Sequence, residues 1–169
     1  YTILIADDHP LFRKGLKDMI QADPMMKVVC EANNGEEVLE FLSRHELPDL
    51  LILDVEMPKV SGLELCLTIQ KKELPVRVII LTMYNEESMF NRIMDAGVSG
   101  YILKESALQD VLQGIRAVLG GKYFISPAIS EYLLRRGQRS ATSALSQPSL
   151  FDLTPMEKRS LSDISGPMA

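Results

Sequence analysis

The feature that most restricts this chain is a recurrence. Five short apolar runs, TILIA (2–6), KVVCEA (27–32), DLLILD (49–54), VRVIILT (76–82) and GYILK (100–104), return about every 25 residues. In most of them successive residues are apolar, as in strands covered on both faces. The segments between them carry helical period. The first places Phe12, Leu16, Met19 and Ile20 on one stripe, with Pro10 near its start and Pro24 past its end. The segment after the third run opens with Ser61 and Glu64 at capping-box spacing. The segment after the fifth opens with Ser106 and Gln109 in the same relation. It then carries Leu108, Val111, Leu112, Ile115 and Leu119 before Gly120 and Gly121. Strand and helix alternating in this way predict an α/β fold, a (βα)5 doubly wound parallel sheet with helices on both faces. Right-handed crossovers leave few topologies open to it.

After Gly121 the pattern changes. ISPAISEYLLRRG predicts one more short helix, with Ser126 as cap and Pro127 at its first position. QRSATSALSQPS (138–149) has the polar, Ser-rich composition of a linker. LTPMEKRSL (153–161) starts a helix again at Thr154 and Pro155, and the eight residues after it are too few for a second core. The expected organisation is a domain over 1–122, a short helix and linker over 123–152, and the start of something further over 153–169.

The formal net charge is -5, and residues 135–169 hold five Lys/Arg against three Asp/Glu, so the body is acidic and the tail slightly basic. An acidic body argues against a dominant nucleic-acid surface, because phosphate binding wants a basic face. Cys30 and Cys66 sit inside apolar segments without CxxC spacing, which predicts reduced, buried thiols and a cytoplasmic setting. No stretch approaches the roughly 18 uninterrupted apolar residues of a membrane-spanning helix. Charges by position 7 leave no room for a signal peptide.

In an open parallel sheet, ligands bind outside the carboxyl ends of the strands. The first run delivers Asp7 and Asp8 to that edge, the third Asp54, the fourth Thr82 and the fifth Lys104. Clustered carboxylates beside apolar runs need a positive partner. Hard oxygen ligands suit Mg²⁺, which binds few carboxylates and keeps several waters. Mg²⁺ in turn favours a phosphoryl oxygen. Thr82 can donate a hydrogen bond to a second such oxygen, and Lys104 can hold a third as a point charge. Asp54, central in the set, is then placed to act as a nucleophile that forms an aspartyl phosphate.

At this point the chain resembles the receiver domains of two-component response regulators, over residues 1 to about 122. ADDHPLFR is similar to their acidic opening, LILDVEMPKVSG to the phosphoacceptor segment, IILTMYNEE to the Thr-bearing strand end and GYILKES to the Lys-bearing one. DDHPLFR, LTMY and AGVSGYILK are closest to the NarL/FixJ-type class. The resemblance implies the flavodoxin-like strand order 2-1-3-4-5 and phosphorylation of Asp54 by a sensor histidine kinase. It implies Mg²⁺ held directly by Asp8, Asp54 and the backbone carbonyl of Glu56, with Asp7 acting mainly through water. Thr82 and Tyr101 are implied to be a switch pair, the ring following the hydroxyl inward. Pro58 and Gly62 are implied to shape the loop after Asp54. Tyr84 and Glu56 sit where relatives tune dephosphorylation. Some relatives have a cis peptide after the lysine, but Glu105 in place of proline argues against one here.

The tail LTPMEKRSL resembles the opening of the LuxR-type helix-turn-helix that follows such receivers. SDISGPMA after it departs from that pattern, so this chain is expected to carry only the start of a DNA-binding output domain. The resemblance implies that a full-length parent binds promoter DNA and that phosphorylation promotes a homodimer.

Plainer readings stand beside these. Asp7 and Asp8 alone suit a charged strand end, Thr82 a helix cap, Tyr101 plain core, and His9 a helix-start residue at the pocket mouth. Two other function classes stand against the regulator. A Mg²⁺-dependent phosphohydrolase also works through an aspartyl phosphate, yet such enzymes usually place their second acid in a DxD pattern, and here Glu56 stands there without a cap domain. A dinucleotide-binding fold is opposed by the absence of a glycine-rich first turn.

Overall fold

The sheet is parallel and six-stranded, in the order β2-β1-β3-β4-β5-β6. Its strands are β1 (Thr2–Ala6), β2 (Lys27–Ala32), β3 (Leu50–Asp54), β4 (Arg77–Thr82), β5 (Gly100–Leu103) and β6 (Phe124–Ile125). The helices between them are α1 (Pro10–Gln21), α2 (Gly35–Arg44), α3 (Gly62–Lys71), α4 (Glu87–Asp95) and α5 (Ala107–Leu119). This computed structural model describes residues 1–83, 87–131 and 133–135. The chain divides into two units, Tyr1–Ser130 and Glu131–Ala169, and every element named here lies in the first. The expected linker and the helix-turn-helix opening, and also Tyr84, fall outside the described residues.

The expected fold and strand order are present, with β6 added at the edge. Burial explains the continuous apolar runs. All five residues of β3 and all four of β5 are buried, as are four of the five in β1. β2, at the sheet edge, is only partly covered. The strand order reverses between β1 and β3, which under right-handed crossovers puts α1 on one face and α2 to α4 on the other. α5 packs against α1, and α2 against α3.

Two local expectations are corrected. Ser61 and Glu64 form the capping box, but Ser106 does not cap α5 through its side chain. A 3₁₀ turn over Lys104–Ser106 precedes that helix and turns the Ser106 hydroxyl back to donate to the Leu103 carbonyl. The buried stripe of α5 is Ala107, Val111, Gly114, Ile115 and Val118, while Leu108 is half exposed and reaches over Gly15 of α1.

β6 escapes a run-based reading because it has only two residues. Ser126, just after it, is fully buried: its hydroxyl accepts from the Leu103 N–H at 3.1 Å and donates to Asp110 at 3.2 Å. Residues 127–130 are helical, as expected, but the serine side chain ties β5 to α5 instead of capping them.

Candidate functional site

The reversal of strand order opens a crevice at the carboxyl ends of β1 and β3, the place where folds of this order bind ligands. β1 runs into Asp7 and Asp8, and β3 ends on Asp54. Asp7 is fully buried and Asp54 is 3% exposed, because the strands that carry them are covered on both faces. Asp8 is directed outward and keeps a third of its side chain in contact with solvent. Thr82 ends β4, one residue past the Cα partner of Asp54, and is fully buried. Lys104 follows β5 and reaches back across the edge.

The ammonium of Lys104 sits in the middle of this set. Its Nζ lies 3.1 Å from Asp54 Oδ2 and 2.9 Å from Asp7 Oδ2, with nine-tenths of the side chain buried. Phe12 of α1 supports it from below, its ring centroid 4.9 Å from Nζ. Sequence reasoning placed Phe12 on the core stripe and missed this contact. Burial, and then the like charge of Asp7, push the Asp54 carboxyl above the ordinary carboxylate range; the Lys104 charge and the Glu56 N–H, which donates to Oδ1 at 3.3 Å, recover only part of that. Burial pulls the Lys104 ammonium the other way, but Asp7 and Asp54 outweigh it and leave the lysine above its usual value. Two buried carboxylates share one ammonium, so the site is short of positive charge.

That shortage is visible in one atom. Asp7 Oδ2 is buried and attracted to Lys104 as an ion pair, yet no donor reaches it in hydrogen-bonding geometry. Asp7, Asp8, His9 and Asp54 each offer a ligand atom, all within 4.8 Å of one another. The cluster fits a small divalent cation: it is rich in hard oxygens, and a cation would satisfy the orphaned oxygen and lower the repulsion around Asp54.

The loop after β3 is held open by close backbone approach. The Gly62 N–H donates to the Val55 carbonyl at 2.9 Å, and a Cβ on Gly62 would stand 2.4 Å from the carbonyl oxygen of Asp54. Lys59 completes the turn with φ 69°, in the left-handed region. Glu56 on this loop is exposed, and beside it lies an open groove of about 500 Å³ that includes Asp8, Pro58 and Ser61. A second cavity, about 370 Å³, is lined by Phe12, Thr82, Met83 and Lys104. Tyr101 is fully buried, its ring meeting that of Phe90 edge-on at 5.0 Å. The structure therefore brings Asp7, Asp8, Asp54 and Lys104 into one cluster, sets Thr82 at its wall and Tyr101 within the core nearby on β5. The peptide after Lys104 is trans, like every described peptide bond.

Among the described residues, no helix is long and apolar enough to cross a membrane. Arg13, unnoticed in the sequence, is bound by the Asp7 carbonyl and by Asn33 Oδ1 at 2.9 Å, which fixes the start of the acidic loop.

The family described as "Response regulator receiver domain" matches residues 3–116. This chain belongs to that family. The nitrate/nitrite response regulator NarL of Escherichia coli K12 is 33% identical over 157 residues, spanning 93% of this chain and 71% of its own. The regulator GacA of Pseudomonas aeruginosa is 35% identical over 131 residues, and the transcriptional regulatory protein DegU of Brevibacillus brevis 31% over 137. The chain spans 61% of that GacA and 58% of that DegU. Among solved structures, a LuxR-family response regulator from Aurantimonas sp. aligns over 80% of this chain and 96% of its own, with 30% identity and a TM-score of 0.72. The receiver domain of NarL from Mycobacterium tuberculosis aligns at 0.67, again with 30% identity, over 72% and 97%. The receiver is thus one module of a two-component response regulator related to transcription regulators of the NarL/LuxR class.

Proposed function

We propose that Asp54 takes the phosphoryl group from a phosphohistidine of a sensor histidine kinase, and that the resulting change controls transcription through an output domain. One observation carries this: a carboxylate 3% exposed, its basicity raised by burial and by Asp7, directly bonded to a lysine ammonium at a sheet switch point. An Asp54 oxygen attacks phosphorus, the P–N bond to the imidazole breaks, and the departing histidine takes up a proton. Asp7, Asp8, Asp54 and the Glu56 carbonyl are the residues to hold Mg²⁺, which when bound neutralises the entering phosphoryl oxygens. Lys104 exchanges its bond to Asp54 Oδ2 for one to a phosphoryl oxygen. Thr82 follows with its hydroxyl, and Tyr101 responds to the space that this movement opens. Tyr101 is already buried in this structure, so its response is a repacking against Phe90 within the core.

Residues 1–122 form the receiver in this reading, 123–152 the connection, and 153–169 the opening of the output domain. The greater length of the relatives supports it. The reading places the protein in the cytoplasm, where the kinase and promoter DNA meet, with a homodimer promoted by phosphorylation.

Treatment with Mg²⁺ and acetyl phosphate, followed by mass spectrometry, tests the assignment. We expect one phosphoryl adduct on Asp54, lost on chelation of the metal and absent from Asp54→Asn. Phosphorylated Thr82→Ala should show a much smaller change in the Tyr101 ring signals by NMR. The same adduct on Asp54→Asn would refute the assignment. Sustained consumption of excess donor, many turnovers per protein, would favour the phosphohydrolase reading instead.

A further inference from the structure

In a parallel ladder each bonding residue of one strand reaches two residues of the next, and the pattern advances two positions at a time. β5 and β6 are in register at Gly100 with Phe124 and at Tyr101 with Ile125, and the Ser126 N–H donates to the Tyr101 carbonyl at 2.9 Å. The next donor on β5 is the Leu103 N–H, and the acceptor due to it is the Ser126 carbonyl. That carbonyl has turned away. It accepts instead from the Ile129 and Ser130 N–H groups, at 2.9 and 3.1 Å, and opens the helix that begins at Pro127. The Ser126 hydroxyl takes its place on Leu103 and gives its own proton to Asp110 of α5. Without that oxygen a buried N–H would be left unpaired, at a position where the serine itself is fully buried. One residue therefore ends the sheet with its side chain and starts the next helix with its main chain.

Leu103 is the Cα partner of Thr82 between β4 and β5, and it immediately precedes Lys104. Thr82, Tyr101 and Lys104 are thus each joined to Ser126 directly or through a residue that it bonds. Beyond Ser126 the chain buries Ile129, 2% exposed, and the first unit ends at Ser130. We propose that Ser126 is a positioning residue that couples the phosphoryl group on Asp54 to the segment following the receiver. When Thr82 and Lys104 close on the phosphoryl oxygens, the end of β5 moves with them and draws the serine hydroxyl along. The carbonyl of the same residue holds the first turn of the helix, so that turn is re-aimed. The bond to Asp110 sets the resting position from which the hydroxyl departs.

The proposal rests on the reading of Asp54 as phosphoacceptor, and the two fail separately. Amide spectra of the ¹⁵N-labelled chain before and after Mg²⁺ and acetyl phosphate are the measurement. In the parent, the Leu103, Ile129 and Ser130 amides should all shift on phosphorylation. In Ser126→Ala the Asp54 adduct should form to the same extent and Leu103 should still shift, while the response at Ile129 and Ser130 is lost. The Leu103 N–H of that variant should exchange with solvent about fivefold faster, the fold-change of one ordinary hydrogen bond. Ser126→Thr, which keeps the hydroxyl, should restore the response. A second arm needs no phosphoryl group. Thr82→Ala in the untreated chain alters the cross-strand partner of Leu103, and should shift Ile129 and Ser130 only while Ser126 is present. Silence at Ile129 and Ser130 in the phosphorylated parent, a response that persists in Ser126→Ala, or one that threonine does not restore would each overturn the coupling. If no adduct forms but the Thr82→Ala shift still reaches Ile129 through Ser126, the phosphoacceptor reading fails and the coupling stands.

Discussion

At the amino end of the sheet, the Asp49 carboxylate accepts from both the N–H and the hydroxyl of Thr2, at 2.8 and 3.2 Å, and the Asp49 N–H returns a bond to the Thr2 carbonyl at 2.9 Å. Beside it the Arg77 guanidinium donates to the carbonyls of Val118 and Leu119, the latter at 2.8 Å, and so closes the carboxyl terminus of α5. Asp49 and Arg77 are exposed, and these groups satisfy one another. At the carboxyl end, Asp7 and Asp54 are buried, share one ammonium and leave an oxygen without a hydrogen bond. The same strands thus begin in polar groups that lower the free energy of the fold and end in polar groups that raise it. The difference shows where the molecule keeps its reactivity: a carboxylate with its partners complete has little to gain from a phosphoryl group, whereas one held in deficit has much.

The largest effect should come from filling the space that the deficit requires. In Gly62→Ala the new Cβ meets the Asp54 carbonyl oxygen at 2.4 Å and the Val55 Cα at 3.0 Å, both backbone atoms with nowhere to move. We expect a loss of about 3 kcal/mol by denaturant titration, the upper range for overpacking, and a displaced Asp54 with slower phosphorylation. Stability within 1 kcal/mol of the parent, on the scale of an ordinary surface change, would mean that the loop is softer than its hydrogen bonds indicate.

Next in size is a pair of changes of opposite sign. Arg77→Ala leaves two helix-terminal carbonyls to water and should cost about 1–2 kcal/mol with phosphorylation unimpaired. Asp54→Asn in metal-free buffer removes one of two carboxylates competing for Lys104 and should stabilise by about 1 kcal/mol, while phosphorylation is abolished. Thermal melts of the two variants in parallel decide it. A Tm that falls in both would remove the contrast between the two ends.

What could be read from the sequence follows from the range over which each interaction acts. Asp7, Asp54, Thr82 and Lys104 announce themselves because each directly follows an apolar run, and the pleat and parallel register carry all four to one edge. The Ser61–Glu64 cap is legible for the same reason, being local. The Ser106–Gln109 pair has the same spacing and fails, because the chain takes a 3₁₀ turn before α5 that its residue types do not signal. His9 and Lys104 are 95 positions apart, and Arg77 and Val118 are 41 apart. No periodicity connects such residues, and only the assembled sheet does. Helical period alone places Leu108 in the core, but its position in the first turn of α5 lets it lean over Gly15 at half exposure.

The smallest effect concerns pH, and it separates the deficient carboxylate from a satisfied one by sign. Glu31, on β2, is bonded by Lys17 at 2.8 Å, and that bond outweighs its slight burial and lowers its pKa; Asp54 is raised, by burial first and by Asp7 second. A lowered carboxylate contributes stability above its unfolded pKa and loses it as pH falls through the folded value. A raised one is a liability when ionised, so folding binds extra protons, and stability recovers as pH falls through the raised value toward the ordinary carboxylate range. Each variant should therefore differ most from the parent near neutral pH and approach it on acidification, from opposite sides. Asp54→Asn should begin above the parent and descend toward it, and Glu31→Gln should begin slightly below and climb. The measurement is a set of chelated, metal-free melts at matched ionic strength from neutral to acid pH. If Asp54→Asn instead gains on the parent as the solution is acidified, then Asp54 is stabilised as a carboxylate in the folded state, and the deficit at the carboxyl end does not exist.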